Sequence, residues 1–240
     1  MRAIPTLLRL SAIACAAFST ALASLVPFPT ATFGGSGIPN DQVAVSTYDG
    51  QDFDITVALT AHQRYNNPAL TNNGVDTFYA LPGGDAANGQ PGYGRWNFGF
   101  YVGFNPAPLN ALAWFLQGNT VALKYDLNPA AGNGTTNELD LLGAIYTTYG
   151  PAALAGGVFQ DSWNLGMGFL SGGGFNPSAL GEYDFRLVVK EGASEVASSA
   201  LKVVVTHTPP TSPVPDGGTS LLLVGLALPV LAAFGRAKRA

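Results

Sequence analysis

The side chains in this 240-residue chain that could do chemistry are carboxylates and aromatic rings. In "DGQDFD", Asp49, Asp52 and Asp54 fall within one turn, and their oxygens would suit calcium. The stretch lacks the glycine position and the distal glutamate of an EF-hand loop. An acidic hairpin turn leading into a strand is the simpler reading, with calcium as the alternative and no other cofactor implied. Glu138 with Asp140, and Glu182 with Asp184, are i, i+2 pairs that share a strand face. A glycosidase needs two carboxylates about 5 to 10 Å apart across a cleft, but an acidic β-protein supplies such pairs by chance. His62 and His207 have no neighbouring Cys or His, so a zinc or catalytic-histidine site is not expected. "GFLSG" and "GGSGI" miss the spacing of a nucleophile elbow, and no phosphate-binding loop is present. No enzyme is expected, and a surface glycoside hydrolase ranks third among the functions considered. Tyr93, Trp96, Tyr101 and Trp163 lie in Gly/Asn-rich surroundings where flat rings could stack on sugars. Trp96 belongs to an apolar strand face, which leaves Tyr93 and Tyr101 as the exposed candidates for ligand binding.

The elements that would position these groups are strands. In "FDITVALT" (53–60), Phe53, Ile55, Val57 and Leu59 alternate with Asp54, Thr56 and Ala58. In "WNFGFYVGF" (96–104), Trp96, Phe98, Phe100, Val102 and Phe104 share one face, predicted buried. Asn97, Gly99, Tyr101 and Gly103 take the other, predicted partly exposed. "EYDFRLVVK" (182–190) repeats the pattern, and "LKVVV" (201–205) can pair with it across the "EGASE" turn. Shorter strands are expected over 43–48, 76–81, 120–127 and within 156–170, and a short helix over 137–150. Eight or so short strands without a βαβ rhythm predict an all-β fold, an antiparallel sandwich of the Ig-like or jelly-roll-like kind, over residues 24–205.

Both ends read as addresses. Arg2 and Arg9 precede a short apolar core from Leu10 to Phe18, and Ala21-Leu22-Ala23 fits the small-x-small site cut by signal peptidase. Residues 1–23 are therefore expected to be removed, giving a mature start at Ser24. Cys15, the chain's single cysteine, lies inside that signal in a poor lipobox, so the exported body has no thiol. Between Ser24 and Pro213 there are six Lys or Arg against fourteen Asp or Glu, a net charge of −8. A body this acidic repels phosphate backbones and argues against nucleic acid as a partner. After Thr206, Pro209, Pro210 and Pro213 make residues 206–213 an extended spacer.

The last segment runs motif, apolar stretch, basic cluster. Thr219 to Gly235 would make a helix of about 25 Å, slightly short of the ~30 Å hydrocarbon core. Arg236, Lys238 and Arg239 would hold its end in the cytoplasm. At Val214, Pro215, Asp216, Gly217 and Gly218 the chain resembles the PEP-CTERM class of bacterial sorting signals in its VPDSG variant, with Gly217 where serine usually stands. The resemblance implies recognition by an exosortase, a membrane-embedded transpeptidase. That enzyme would remove the helix and pass the protein to the surface of a bacterium that makes exopolysaccharide or biofilm. Gly217-Gly218 before an apolar run is also similar to the GlyGly-CTERM signals read by rhomboid-type proteases, although Val214-Pro215-Asp216 favours the first class. The phrases Trp163-Asn164 and Gly181 to Phe185 look like those of sandwich domains found upstream of such tails. The expectation is thus a surface protein, transiently tethered to the inner membrane, that acts as a structural or adhesive matrix component with exopolysaccharide as a partner. The alternative is a carbohydrate-binding module, with or without calcium.

Overall fold

The computed structural model describes residues 24–50, 53–65, 67–106 and 110–211. Asp52 and the two terminal signals, 1–23 and 214–240, lie outside them. The strands are β1 (Ala44–Asp49), β2 (Asp54–Gln63), β3 (Thr71–Asn72), β4 (Thr77–Ala80), β5 (Gly84–Asp85), β6 (Gln90–Gly94) and β7 (Trp96–Asn105). They continue as β8 (Thr120–Tyr125), β9 (Asn137–Asp140), β10 (Val158–Trp163), β11 (Gly181–Glu191) and β12 (Ser194–Val205). Four short helices interrupt them: α1 (Asn110–Leu116), α2 (Leu141–Tyr149), α3 (Pro151–Leu154) and α4 (Gly168–Ser171). The domain is mostly β and forms no barrel.

Two sheets make the layers. One has the order β1-β2-β7-β10 and the other β3-β4-β12-β11-β8-β9, while β5 and β6 form a separate ribbon. β1 and β2 face β12 and β11 across the core, where the buried Ser199 hydroxyl donates to the Ala44 carbonyl at 2.7 Å. The face of β7 predicted to be buried is buried. Trp96, Phe98, Phe100, Val102 and Phe104 all lie in the main core, and the Phe98 and Phe185 rings stack with centroids 4.6 Å apart. Each such ring removed from water contributes ~2–3 kcal/mol, which favours this register over a one-residue slip.

Four features depart from the sequence reading. The far face of β2 and β7 is covered, because residues 25–43 cross it and form a second core of Ala31, Phe33, Val43, Ala58 and Tyr101. The sandwich is not wholly antiparallel: β4 runs parallel to β12, with Lys202 opposite Thr77. A long connection joins these two strands, and only such a connection allows parallel neighbours. The expected helix over 137–150 divides at Asp140. Asn137–Asp140 forms an edge strand on β8, and the Asp140 carboxylate then accepts from the Gly143 amide at 2.9 Å and caps α2. The hairpin of β11 and β12 forms across the predicted turn, but β12 starts at Ser194 and is longer than "LKVVV". Among the described residues no helix is long and apolar enough to cross a membrane; the predicted span, 219–235, lies outside them.

Candidate functional site

β2 and β7 are antiparallel neighbours, with Gln63 at the end of one opposite Trp96 at the start of the other. The next residue along, Arg64, donates its amide to the Arg95 carbonyl at 2.8 Å. Two arginines 31 positions apart are thereby held at one end of the sheet. The β5–β6 ribbon folds against them. Gly84 is required there, since any Cβ would collide with the Pro91 carbonyl.

The Arg64 guanidinium lies 4.7 Å from the centroid of the Tyr93 ring and 5.0 Å from that of Tyr65. Its Nε donates to Asp85 Oδ2 at 3.1 Å, and a terminal nitrogen donates to Gln90 Oε1 and, at 3.3 Å, to the Tyr65 hydroxyl. Asp85 is buried and also accepts from Asn88 Nδ2 at 2.8 Å. A buried carboxylate needs such pairing, so Arg64 is committed to holding Asp85 and the two rings in place. Tyr65 remains 45% exposed. Its φ is +57° and that of Asn67 is +45°, a left-handed conformation that costs non-glycine residues about 1 kcal/mol or more each.

Arg95 is different. Lys124, Arg186, Lys190 and Lys202 pair with Glu138, Glu195 and Glu182, and Arg64 pairs with Asp85. Among the described residues the exposed Arg95 side chain has no ion-pair or hydrogen-bond partner. It borders two adjoining recesses. One, of about 320 Å³, is lined by Gln63, Arg64, Tyr65, Pro68, Asp85 and Asn88. The other, of about 250 Å³, is lined by Leu70, Tyr79, Leu81, Trp96 and Pro209 among others.

The sequence candidates are scattered relative to this site. Tyr93 belongs to it, half-buried beneath Arg64. Tyr101 does not: it is 6% exposed, and Phe28 packs edge-on against its ring at 5.1 Å. The expected exposure of Tyr101 is corrected, since residues 25–43 cover the face that it shares with Asn97. Asp49 and Asp54 stand directly opposite each other where β1 and β2 meet, as an acidic hairpin requires. Among the described residues no three His, Cys, Asp or Glu converge to hold a metal ion, and Asp52 lies outside them. Ser24 is described; Ala21, Ala23 and the motif 214–218 are not.

Two of the sequence's other candidate carboxylates, Glu138 and Glu182, are tied to the framework. Glu138 bridges Lys190 and Lys124, and Glu182 pairs with Lys202. Burial pushes the Asp184 carboxyl upward against the opposing pull of Lys202. His62 is buried; its Nδ1 lies 2.8 Å from the Gln63 carbonyl, which fixes that nitrogen as the donor, and Nε2 accepts from the Ser162 hydroxyl at 2.9 Å. The sequence reading missed the role of Arg64 and Arg95. The available signal was the scarcity of cations in an acidic body, but their meeting depends on the register of β2 against β7.

No protein-family model matches this chain, and no curated protein is similar to it. Among solved structures, the soluble domain of PmoD from Methylocystis sp. ATCC 49242 (Rockwell) aligns at 11% identity. The alignment covers 68% of this chain and 97% of that one, and its TM-score of 0.28 is too low to bear on fold or function.

Proposed function

We propose that this is an exported protein, delivered to the cell surface by a C-terminal exosortase-type signal, that serves as a structural or adhesive component of the extracellular matrix. The corresponding fold reading is an Ig-like or jelly-roll-like sandwich followed by a spacer and a single tail helix. The order of segments in the sequence supports delivery: a cleavable leader, an acidic cysteine-free body, a Pro-rich spacer, and Val214 to Gly218 before an apolar run and a basic end. The observation that carries the non-catalytic role is how the domain uses its reactive side chains. His62, Glu138, Asp140 and Glu182 are all engaged in internal hydrogen bonds or ion pairs. Intact-mass spectrometry of the protein extracted from the cell surface tests delivery. Loss of everything beyond the Asp216–Gly218 region supports processing; a mass that runs to Ala240 refutes it.

One observation favours a second reading, a carbohydrate-binding module. Tyr65 and Tyr93 are held by Arg64 beside a recess with polar walls, the combination of flat rings and fixed polar groups that sugar binding uses. Calcium enters this reading through Asp49, Asp52 and Asp54. A glycan array run with and without EDTA separates the two: silence in both conditions removes the binding module and leaves the structural role.

A further inference from the structure

We infer that the recess between Arg64 and Arg95 binds an acidic glycan, with the Tyr65 ring as the stacking platform and Arg95 as the residue that reads a sugar carboxylate. This rests on the carbohydrate-binding reading above and adds the class of ligand and the residue that selects it. The cation inventory is the first observation. In a body of net charge −8, five of six Lys or Arg side chains are held in internal ion pairs. Of the six, only the exposed Arg95 has no ion pair or hydrogen bond among the described residues, and it lines both recesses. Its planar fork of donors matches a carboxylate in a bidentate geometry that a lysine would not provide.

The second observation is preorganisation. Arg64 fixes the Tyr65 ring from one side and is itself held by Asp85, Gln90 and the Tyr93 ring. Little side-chain freedom then remains to be lost when a sugar stacks on the open face of Tyr65. Tyr65 sits at φ +57°, a strained conformation of the kind that collects at binding sites. The exposed Gln63 lines both recesses with the arginines, and its amide has a donor and an acceptor to offer ring hydroxyls.

Charge density narrows the ligand further. One unpaired arginine on an acidic domain can neutralise one isolated negative charge. A polyanion as dense as a nucleic acid is repelled by the rest of the surface. A short uronate oligosaccharide, with at most one carboxylate per sugar, carries fewer charges along its length than a nucleic acid or a heavily sulfated chain. The acidic surface therefore repels it least of these, while Arg95 pairs with one carboxylate. Pro209 lines the recess that adjoins Arg95. The site therefore lies where the chain leaves the domain toward its tail, near any polysaccharide at the surface that holds it.

The test uses the exported protein, titrated calorimetrically with oligogalacturonate, dextran sulfate and neutral dextran, alongside Arg95→Gln and Arg95→Lys. The exposed Arg95 side chain makes no hydrogen bond or ion pair among the described residues, so both variants should fold as the parent does. Oligogalacturonate is expected to bind best and to weaken with added salt. Arg95→Gln should lose about tenfold in affinity, the low end for a charge-assisted hydrogen bond, and Arg95→Lys should recover part of it. Equal binding of dextran and oligogalacturonate, unchanged in Arg95→Gln, would overturn the acidic class while leaving glycan binding intact. Preference for dextran sulfate would overturn the charge-density argument. Binding of none of the three would remove both this inference and the carbohydrate reading beneath it.

Discussion

Asn164 is the side chain whose removal should cost the domain most for its size. It is 1% exposed and follows the last residue of β10. Its Oδ1 accepts from the amides of Gly94 and Gly166 at 3.0 and 2.9 Å. Its Nδ2 donates to the carbonyls of Gly94 and Trp96 at 2.9 and 2.7 Å, and to Asn97 Oδ1 at 2.9 Å. Two protons serve three acceptors, so one of these bonds is shared. The side chain thus fastens the exit of β10 to the β6–β7 corner, which positions Arg95. Asn164→Ala removes all five contacts and strands buried backbone groups. At roughly 1 kcal/mol for each, less what entering water restores, the expected loss is about 3–5 kcal/mol. That corresponds to a fall of roughly 10 °C in Tm for a domain of this size. Urea unfolding followed by tryptophan fluorescence measures it. Asn164→Asp provides the control, since it keeps the acceptor but turns an oxygen toward three acceptors; at neutral pH it should be at least as damaging. A loss under ~1 kcal/mol at unchanged m, or a tolerated Asn164→Asp, would show that the network contributes little and refute the reasoning.

Two further outcomes follow from packing and ionisation. Burial lowers the His62 pKa below its ordinary 6.5, so the unfolded chain takes up the proton first. The His62 contribution is intact above about pH 6.5 and declines as the pH falls through that value toward the folded pKa. Urea midpoints between neutral pH and pH 5 should drop more steeply for the parent than for His62→Gln; parallel slopes would count against a neutral buried imidazole. Gly99→Ala would bring a Cβ to 2.9 Å from the Phe33 ring and 3.0 Å from Thr60 Cγ2. A loss of about 1–3 kcal/mol is expected, partly recovered by adding Phe33→Leu. Strict additivity of the two changes would mean that residues 25–43 do not cover β7.

Most strands were legible because alternation is a local signal. Phe98, Phe100 and Val102 declare the buried side of β7 from their spacing alone, and the turn at Gly192 marks the hairpin of β11 and β12. The same logic failed at Tyr101. A glycine-rich polar face reads as exposed, and nothing near Tyr101 in sequence says that Phe28 will lie across it. Tyr93 stands out by its surroundings in sequence, whereas Arg64, which packs on its ring, and Tyr65, on the same arginine, come from the loop just after β2. Asn164 belongs to a Trp-Asn phrase in the sequence, but the five contacts that explain it are to residues 94, 96, 97 and 166.

By itself, the sequence determined what depends on short range: the period-two strands, the turns, the acidic balance of the body and the segment order that marks its two ends. Tertiary structure decided which faces are covered, that β4 runs parallel to β12, and that one arginine is held while another has no partner among the described residues. These depend on strand register and on segments distant in the chain meeting across a sheet. The free energy that selects them is burial and pairing summed over the whole core, which no local window contains.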